Sequence, residues 1–253
     1  MNENAKAYYE KMFPNGTPSL AETDPEFVEF FSNFAFDEVL AQTKLDDETR
    51  MMAILAALMG CQGLEEFKIM TEGTLNLGVS PVVIKEVVYQ GVAFLGIGRA
   101  LPFLQAVNDV MVKCGISLPL EGQSTTNPEN RLEMGRETQV GLFGEHTRDA
   151  YKSGPEESRH INRWLTDNCF GDYYTRTPLD YRQREMITFC FLAAQGGCEP
   201  QLMGHSMANM GLGNSKEFMI DVLSQCMPYI GYPRTLNALR VLNEAAEAVE
   251  KKN

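Results

Sequence analysis

The sequence predicts an all-α fold assembled from two tandem copies of one helical module, and three observations carry that prediction. The chain of 253 residues aligns with itself at an offset of 135, its apolar residues recur at helical spacing in both copies, and no segment shows the sustained period-two alternation of a strand. In the self-alignment residues 77–109 pair with 212–244. Leu77/Leu212, Gly78/Gly213, Ser80/Ser215, Val87/Val222, Gln90/Gln225, Gly96/Gly231 and Arg99/Arg234 are identical, as are Leu101/Leu236, Leu104/Leu239 and Asn108/Asn243. Upstream the offset is 134, so that Leu45, Asp46 and Arg50 match Leu179, Asp180 and Arg184. The second copy has therefore gained one residue between Arg184 and His205.

Each copy reads as four core helices behind an accessory segment. Asp46 or Asp47 can cap a helix over residues 48–58, and Asp180 one over 181–194, because a short acceptor side chain satisfies a free N–H of the first turn. Second helices are expected over residues 64–77 and 200–212, stopped by Gly78 and Gly213. Ser80 and Ser215 then cap third helices whose apolar faces are Val83, Val87, Val88, Val92 and Phe218, Val222, Leu223, Met227. Gly96 and Gly231 end these, and a fourth helix begins near Gly98 and near Pro233, a favourable first-turn residue. Accessory helical segments precede the cores at residues 24–42 and 131–168. Residues 117–129, with Pro119, Pro128 and the run Gln123 to Asn127, have linker composition and separate a first module, 1–116, from a second, 130–253.

Composition narrows the function. Apolar residues make up 44% of the chain, enough for a sizeable core, while no apolar run reaches the roughly 18–20 residues of a membrane span. The N-terminal residues carry neither a basic nor an apolar leader region, so no secretory signal is expected and cytoplasmic residence is the default. Six cysteines, at 61, 114, 169, 190, 198 and 226, form no C-x-x-C pair and are expected mostly as small core groups. A formal net charge of −12 argues against nucleic acid and against anionic membranes, whereas a small anionic substrate needs only a local cluster of Arg or Lys. No G-x-G-x-x-G, P-loop, H-E-x-x-H or clustered His/Cys spacing occurs, so neither a metal nor a cofactor is expected.

Residues 184–215 read REMITFCFLAAQGGCEPQLMGHSMANMGLGNS, and residues 222–239 read VLSQCMPYIGYPRTLNAL. With Arg131 to Gly135, Phe143 to His146 and Phe170 to Tyr173 as lead-in, this resembles the carboxymuconolactone decarboxylase family. The shared features are an R-E-L-like helix, a His eight residues before a Gly, and a Y-x-G-x-P turn. The resemblance covers about 130–245 well and about 25–112 more weakly. It implies the helical module shared with alkyl hydroperoxidase D proteins, homo-oligomeric assembly in a trimer- or hexamer-like ring, and sites in clefts between helices and protomers. It also implies a small carboxylate-bearing lactone or related acid as substrate.

His205 is the first candidate for chemistry, since imidazole passes a proton either way near neutrality, and it matches the family's motif histidine. Glu185 can orient it or raise its basicity, or can simply complement the helix dipole from the first turn. Cys198 stands where redox relatives carry the first cysteine of C-x-x-C-x-x-x-H, but Gln201 replaces the second. It is either a single activated thiolate at a helix start or a buried thiol in a Gly-Gly-Cys turn. Arg184 and Arg234, with Tyr232 beside the latter, are candidate substrate contacts, because a decarboxylating substrate needs a cradle for its remaining carboxylate and for the enolate that forms. Surface salt bridges are the alternative use of either arginine. Asn237 is a weaker candidate, Arg99 is the first-copy counterpart of Arg234, and His146 and His160 are expected to be structural.

The first copy places Met51, Met70 and Gly63 where the second has Glu185, His205 and Cys198, so it reads as a scaffold that has lost a proton-transfer site. Three functions follow: a cofactor-independent decarboxylase-like enzyme, a thiol-dependent antioxidant using Cys198 and His205, or a non-catalytic oligomeric binding or scaffold protein.

Overall fold

Thirteen α-helices and no strand run through the described residues, 1–14 and 16–251 of a computed structural model. The first module opens with α1 (Glu3–Met12), α2 (Pro25–Asn33), a π-helical stretch Phe34–Glu38 and α3 (Val39–Gln42). Its core is α4 (Asp47–Gly60), α5 (Leu64–Asn76), α6 (Pro81–Leu95) and α7 (Ile97–Lys113). In the second module α8 (Arg131–Phe143), two single 3-10 turns, α9 (Arg159–Trp164) and a π-helical stretch Leu165–Tyr173 lead to α10 (Tyr181–Gln195), α11 (Glu199–Gly211), α12 (Lys216–Ile230) and α13 (Tyr232–Glu250).

The caps act as their sequence suggests. Asp46 accepts from the Thr49 N–H, and Asp180 from the Gln183 N–H, while the Gln183 side chain returns a contact to the Asp180 backbone N–H. Ser80 and Ser215 accept from Val82 and Phe218. The residue gained by the second copy lies within α10, which has 15 residues against 14 in α4, while both following loops have three. Glu185 sits upstream of that gain, in the first half of α10, so its facing is that of its repeat equivalent.

α4 and α10 occupy the centre, packed on each other. Every residue from 50 to 60 and from 184 to 194 is buried, which a helix tolerates only when other helices surround it. One apolar core consequently runs through both modules, from Met51 and Leu55 to Ile187 and Phe191. A smaller cluster, Leu142, Cys169, Phe170 and Tyr174, packs beside it under α8.

The modules also exchange a polar contact in each direction. Gln90 on α6 donates to the Arg184 carbonyl and to Thr188 on α10; its counterpart Gln225 on α12 donates to the Val39 carbonyl and to Thr43. All four bonds are buried, so each carboxamide is satisfied by the other module. Matched apolar residues are left exposed on the accessory helices, Phe27 and Phe30 on α2 against Ile161 and Trp164 on α9. Among the described residues no helix is long and apolar enough to cross a membrane.

Candidate active site

Glu185 and His205 meet inside the second module. α10 carries the carboxylate and α11 the imidazole, and antiparallel packing of these two helices brings Oε2 within 2.7 Å of Nδ1. Glu185 is fully buried. A buried carboxylate costs several kcal/mol unless hydrogen bonds replace its water, and here both oxygens accept one. Tyr174 donates to Oε1 at 2.8 Å.

That tyrosine is the near end of a directed chain. Its single proton goes to Glu185, so at the 2.7 Å contact between Tyr174 and Thr188 the threonine is the donor. Thr188 in turn accepts from Gln90 at 2.9 Å, and Gln90 accepts from Arg184 at 2.8 Å. Arg184 completes the chain by donating to Glu86 at 3.1 Å, and Glu86 is also gripped by Arg176. Burial and the adjacent Glu185 charge push the Tyr174 hydroxyl well above its ordinary value, so it stays protonated and remains a donor.

A carboxylate only accepts, so the 2.7 Å contact places the imidazole proton on Nδ1 and leaves the lone pair on Nε2. Nε2 has no protein partner among the described residues, and 11% of the His205 side-chain surface is accessible. The imidazole is walled by aromatic edges. The rings of Phe94 and Phe143 stand nearly perpendicular to it, each with centroids 5.6 Å away, and Phe170 backs Phe143 at 5.7 Å.

The wall is held by a close crossing of α8 with the π-helical stretch. A Cβ on Gly135 would lie 1.9 Å from the Thr166 carbonyl oxygen, and one on Gly171 would lie 2.3 Å from that of Arg131. Any side chain at either position forces the two helices apart and shifts Phe143 and Phe170.

The remaining predicted residues divide into two groups. Arg184 is a correction. Its side chain is 0% exposed, and its guanidinium donates to Gln90, Glu86 and the Arg176 carbonyl, so it joins the modules and presents nothing to a substrate. Cys198 and Arg234 lie together instead, lining a cavity of about 230 Å³ with Leu202 and Asn237; His205 does not line it. Arg234 donates to the Ala194 carbonyl. Tyr232 begins α13 and is 59% exposed. Burial pushes the Cys198 thiol up, and its sulfur lies 3.5 Å from both the Leu192 carbonyl and the Gln195 amide. His146 and His160 are exposed on the accessory segment.

Sequence reasoning missed Tyr174, Thr188, Gln90, Phe94 and Phe143. Gln90 carried a usable signal, being a glutamine kept in both copies within a largely apolar helix. The others are ordinary core residue types, and nothing in their spacing sets them apart.

Fold and site together define a duplicated helical protein with one buried carboxylate–imidazole pair and an open imidazole nitrogen. The chain belongs to the carboxymuconolactone decarboxylase family, whose model matches it twice, over residues 25–109 and 160–244. A 4-carboxymuconolactone decarboxylase from Acinetobacter baylyi is 24% identical over 119 residues, which is 47% of this chain and 88% of that protein. A crystal structure of a Burkholderia xenovorans protein, provisionally described as a gamma-carboxymuconolactone decarboxylase subunit, superposes with a TM-score of 0.60 at 18% identity, covering 96% of each chain. That likeness is one of fold and spans both modules.

Proposed function

We propose that the protein is a cofactor-independent, decarboxylase-like lyase acting on a small carboxylate-bearing lactone or related acid, with His205 as its acid–base group. The observation that carries this reading is the Glu185–His205 pair, buried on its carboxylate side and open at Nε2. Decarboxylation breaks a C–COO⁻ bond, releases carbon dioxide and leaves the electron pair delocalised towards the lactone carbonyl as an enolate. A proton must then reach carbon. Nε2 takes that proton from solvent and delivers it, and Glu185 stabilises the imidazolium in between and fixes the ring's orientation. Aromatic walls exclude water from the carbanionic centre.

Of the predicted substrate contacts, Arg234 keeps a lining position on an open cavity, and Leu202, one turn before His205 on α11, lines the same cavity. We assign it, with Tyr232 nearby, to the carboxylate that the substrate retains. The first module supplies Gln90 and Phe94 to the site but has methionines at its own equivalent positions, so it serves as a wall and a support. The matched exposed residues of α2 and α9 fit burial between copies in a ring, as the family resemblance implies.

The test is turnover of 4-carboxymuconolactone by the full chain, followed by carbon dioxide release. His205→Ala is expected to lose about 10²–10⁴-fold in kcat with its helical circular dichroism intact. Unchanged turnover in that variant removes the mechanism. A thiol-dependent activity has weaker support, because burial disfavours the Cys198 thiolate and Gln201 occupies the resolving position.

A further inference from the structure

A second cavity, of about 370 Å³, opens where the linker crosses the first module, far along the hydrogen-bond chain from His205. Its volume falls within the range of ligand pockets, roughly 300–1,000 Å³. Lys85, Glu86, Asn108 and Arg176 give its lining polar groups, and Leu104, Leu118 and Leu120 give it apolar surface. The charges among these polar groups do not balance. Arg176 and Arg184 share the buried Glu86 carboxylate, Arg176 through both Nε and Nη2 at 2.9–3.1 Å and Arg184 at 3.1 Å. Lys85 adds a third cation. It is 7% exposed, donates to the Asn108 side-chain oxygen, and has no carboxylate within salt-bridge distance among the described residues.

A buried ammonium without a counter-ion is unfavourable, and burial accordingly pulls the Lys85 amine below its ordinary value. An ammonium has three donors, and one is engaged by Asn108. Arg176 also has a free edge, since Nη1 makes no contact with Glu86, and its guanidinium lies 5.0 Å over the Tyr89 ring at the same cavity. The cations lining the cavity are Lys85 and Arg176 and its carboxylates are Glu86 and Glu121; Glu86 is already shared by two arginines and Glu121 is exposed to solvent, so neither neutralises Lys85.

We propose that this cavity is a second small-molecule site, one that binds a small organic carboxylate with an apolar body. The carboxylate pairs with Lys85 and the free edge of Arg176, and the hydrocarbon portion lies against Leu104, Leu118 and Leu120. The site does not include His205, and its occupant displaces cavity water from the leucines while giving Lys85 its missing counter-ion.

Isothermal titration calorimetry of the full chain with glutarate tests this, with glutaramide as the uncharged isostere. Glutarate is expected to bind wild type and His205→Ala alike. Lys85→Met, which fills the same volume without charge, is expected to weaken binding about tenfold or more. Leu120→Trp, which fills the cavity from the exposed linker without touching a charge, is expected to weaken it as well, with an unchanged thermal midpoint showing that the chain is folded. Three results overturn the proposal: no heat with wild type up to about 10 mM glutarate, equal binding of glutaramide, or binding that survives Lys85→Met and is lost in His205→Ala. The last would place glutarate at the decarboxylase site.

Discussion

The two modules hold different things at one place in one fold. Where the second buries Glu185 against His205, the first buries Met51 and Met70, and the hydroxyl of Tyr229, which replaces Phe94, lies 3.9 Å from the Met70 sulfur. The backbone is common to both, so what differs is the polarity of the interior. Methionine fills such a space without needing any partner. A carboxylate and an imidazole need a surrounding set of polar partners, and the site has it in Tyr174 and Thr188 of the second module and Gln90 of the first. The matched arginines show the same divergence. Arg50 is held by Tyr8, the Leu45 carbonyl and a partly solvated Asp47, whereas Arg184 pairs with the fully buried Glu86 and Gln90. A carboxylate–imidazole pair can thus be buried in this fold only with the polar scaffolding that makes its burial tolerable.

The strongest way to break that comparison is to make the second module resemble the first. The double variant Glu185→Met with His205→Met is expected to abolish turnover and yet unfold at an equal or higher temperature, because an apolar pair replaces a buried polar one. His205→Met alone leaves Glu185 short of a partner, and urea unfolding should show it about 3 kcal/mol less stable than wild type. Next in size is the arginine comparison. Arg184→Met removes the buried donor shared by Glu86, Gln90 and the Arg176 carbonyl and is expected to cost about 3–5 kcal/mol, against about 1 kcal/mol for Arg50→Met, whose partner Asp47 is partly solvated. Matching losses for the two would mean that burial is not what separates them.

The glutamines sharpen the comparison further. Gln90→Leu and Gln225→Leu should each lower stability by about 2 kcal/mol. Only Gln90→Leu should also lower kcat, by about tenfold with KM unchanged, since it alone supports Glu185. A parallel loss of kcat in both variants would reduce Gln90 to a packing residue. The smallest effect is expected from Cys198→Ala, with turnover within about twofold of wild type and stability within about 1 kcal/mol. A large loss there would revive a thiol mechanism.

Much of the fold was legible in the sequence because helix punctuation is local. Asp46, Asp180, Ser80 and Ser215 mark helix starts through contacts within three residues, and the self-alignment shows that the whole pattern occurs twice. The accessory segments were less legible. The second was expected to end at 168 but continues to Tyr173 as a π-helical turn, whose wider winding leaves no signature in apolar spacing. His205 could be named from its residue type and its match to the family's motif histidine, and Glu185 from its place early in the preceding helix; the extra residue that obscured their mutual facing proved to lie downstream of Glu185 in α10. Arg184 was assigned to a substrate because an arginine beside a catalytic carboxylate has the right charge. Its burial depends on Glu86 and Gln90, about a hundred residues away in sequence, and no local pattern conveys that. Tyr174 was invisible for the same reason.

The exchange of Gln90 and Gln225 across the module boundary bears on how this protein can change over time. A newly duplicated gene yields two halves that can part company, since each once stood alone. Here each half has its buried carboxamide answered by the other, and a break between them would take away those partners and expose the apolar core the two halves share. Deletion of either copy is therefore expected to destabilise the one that remains, which ties the half without a carboxylate–imidazole pair to its neighbour.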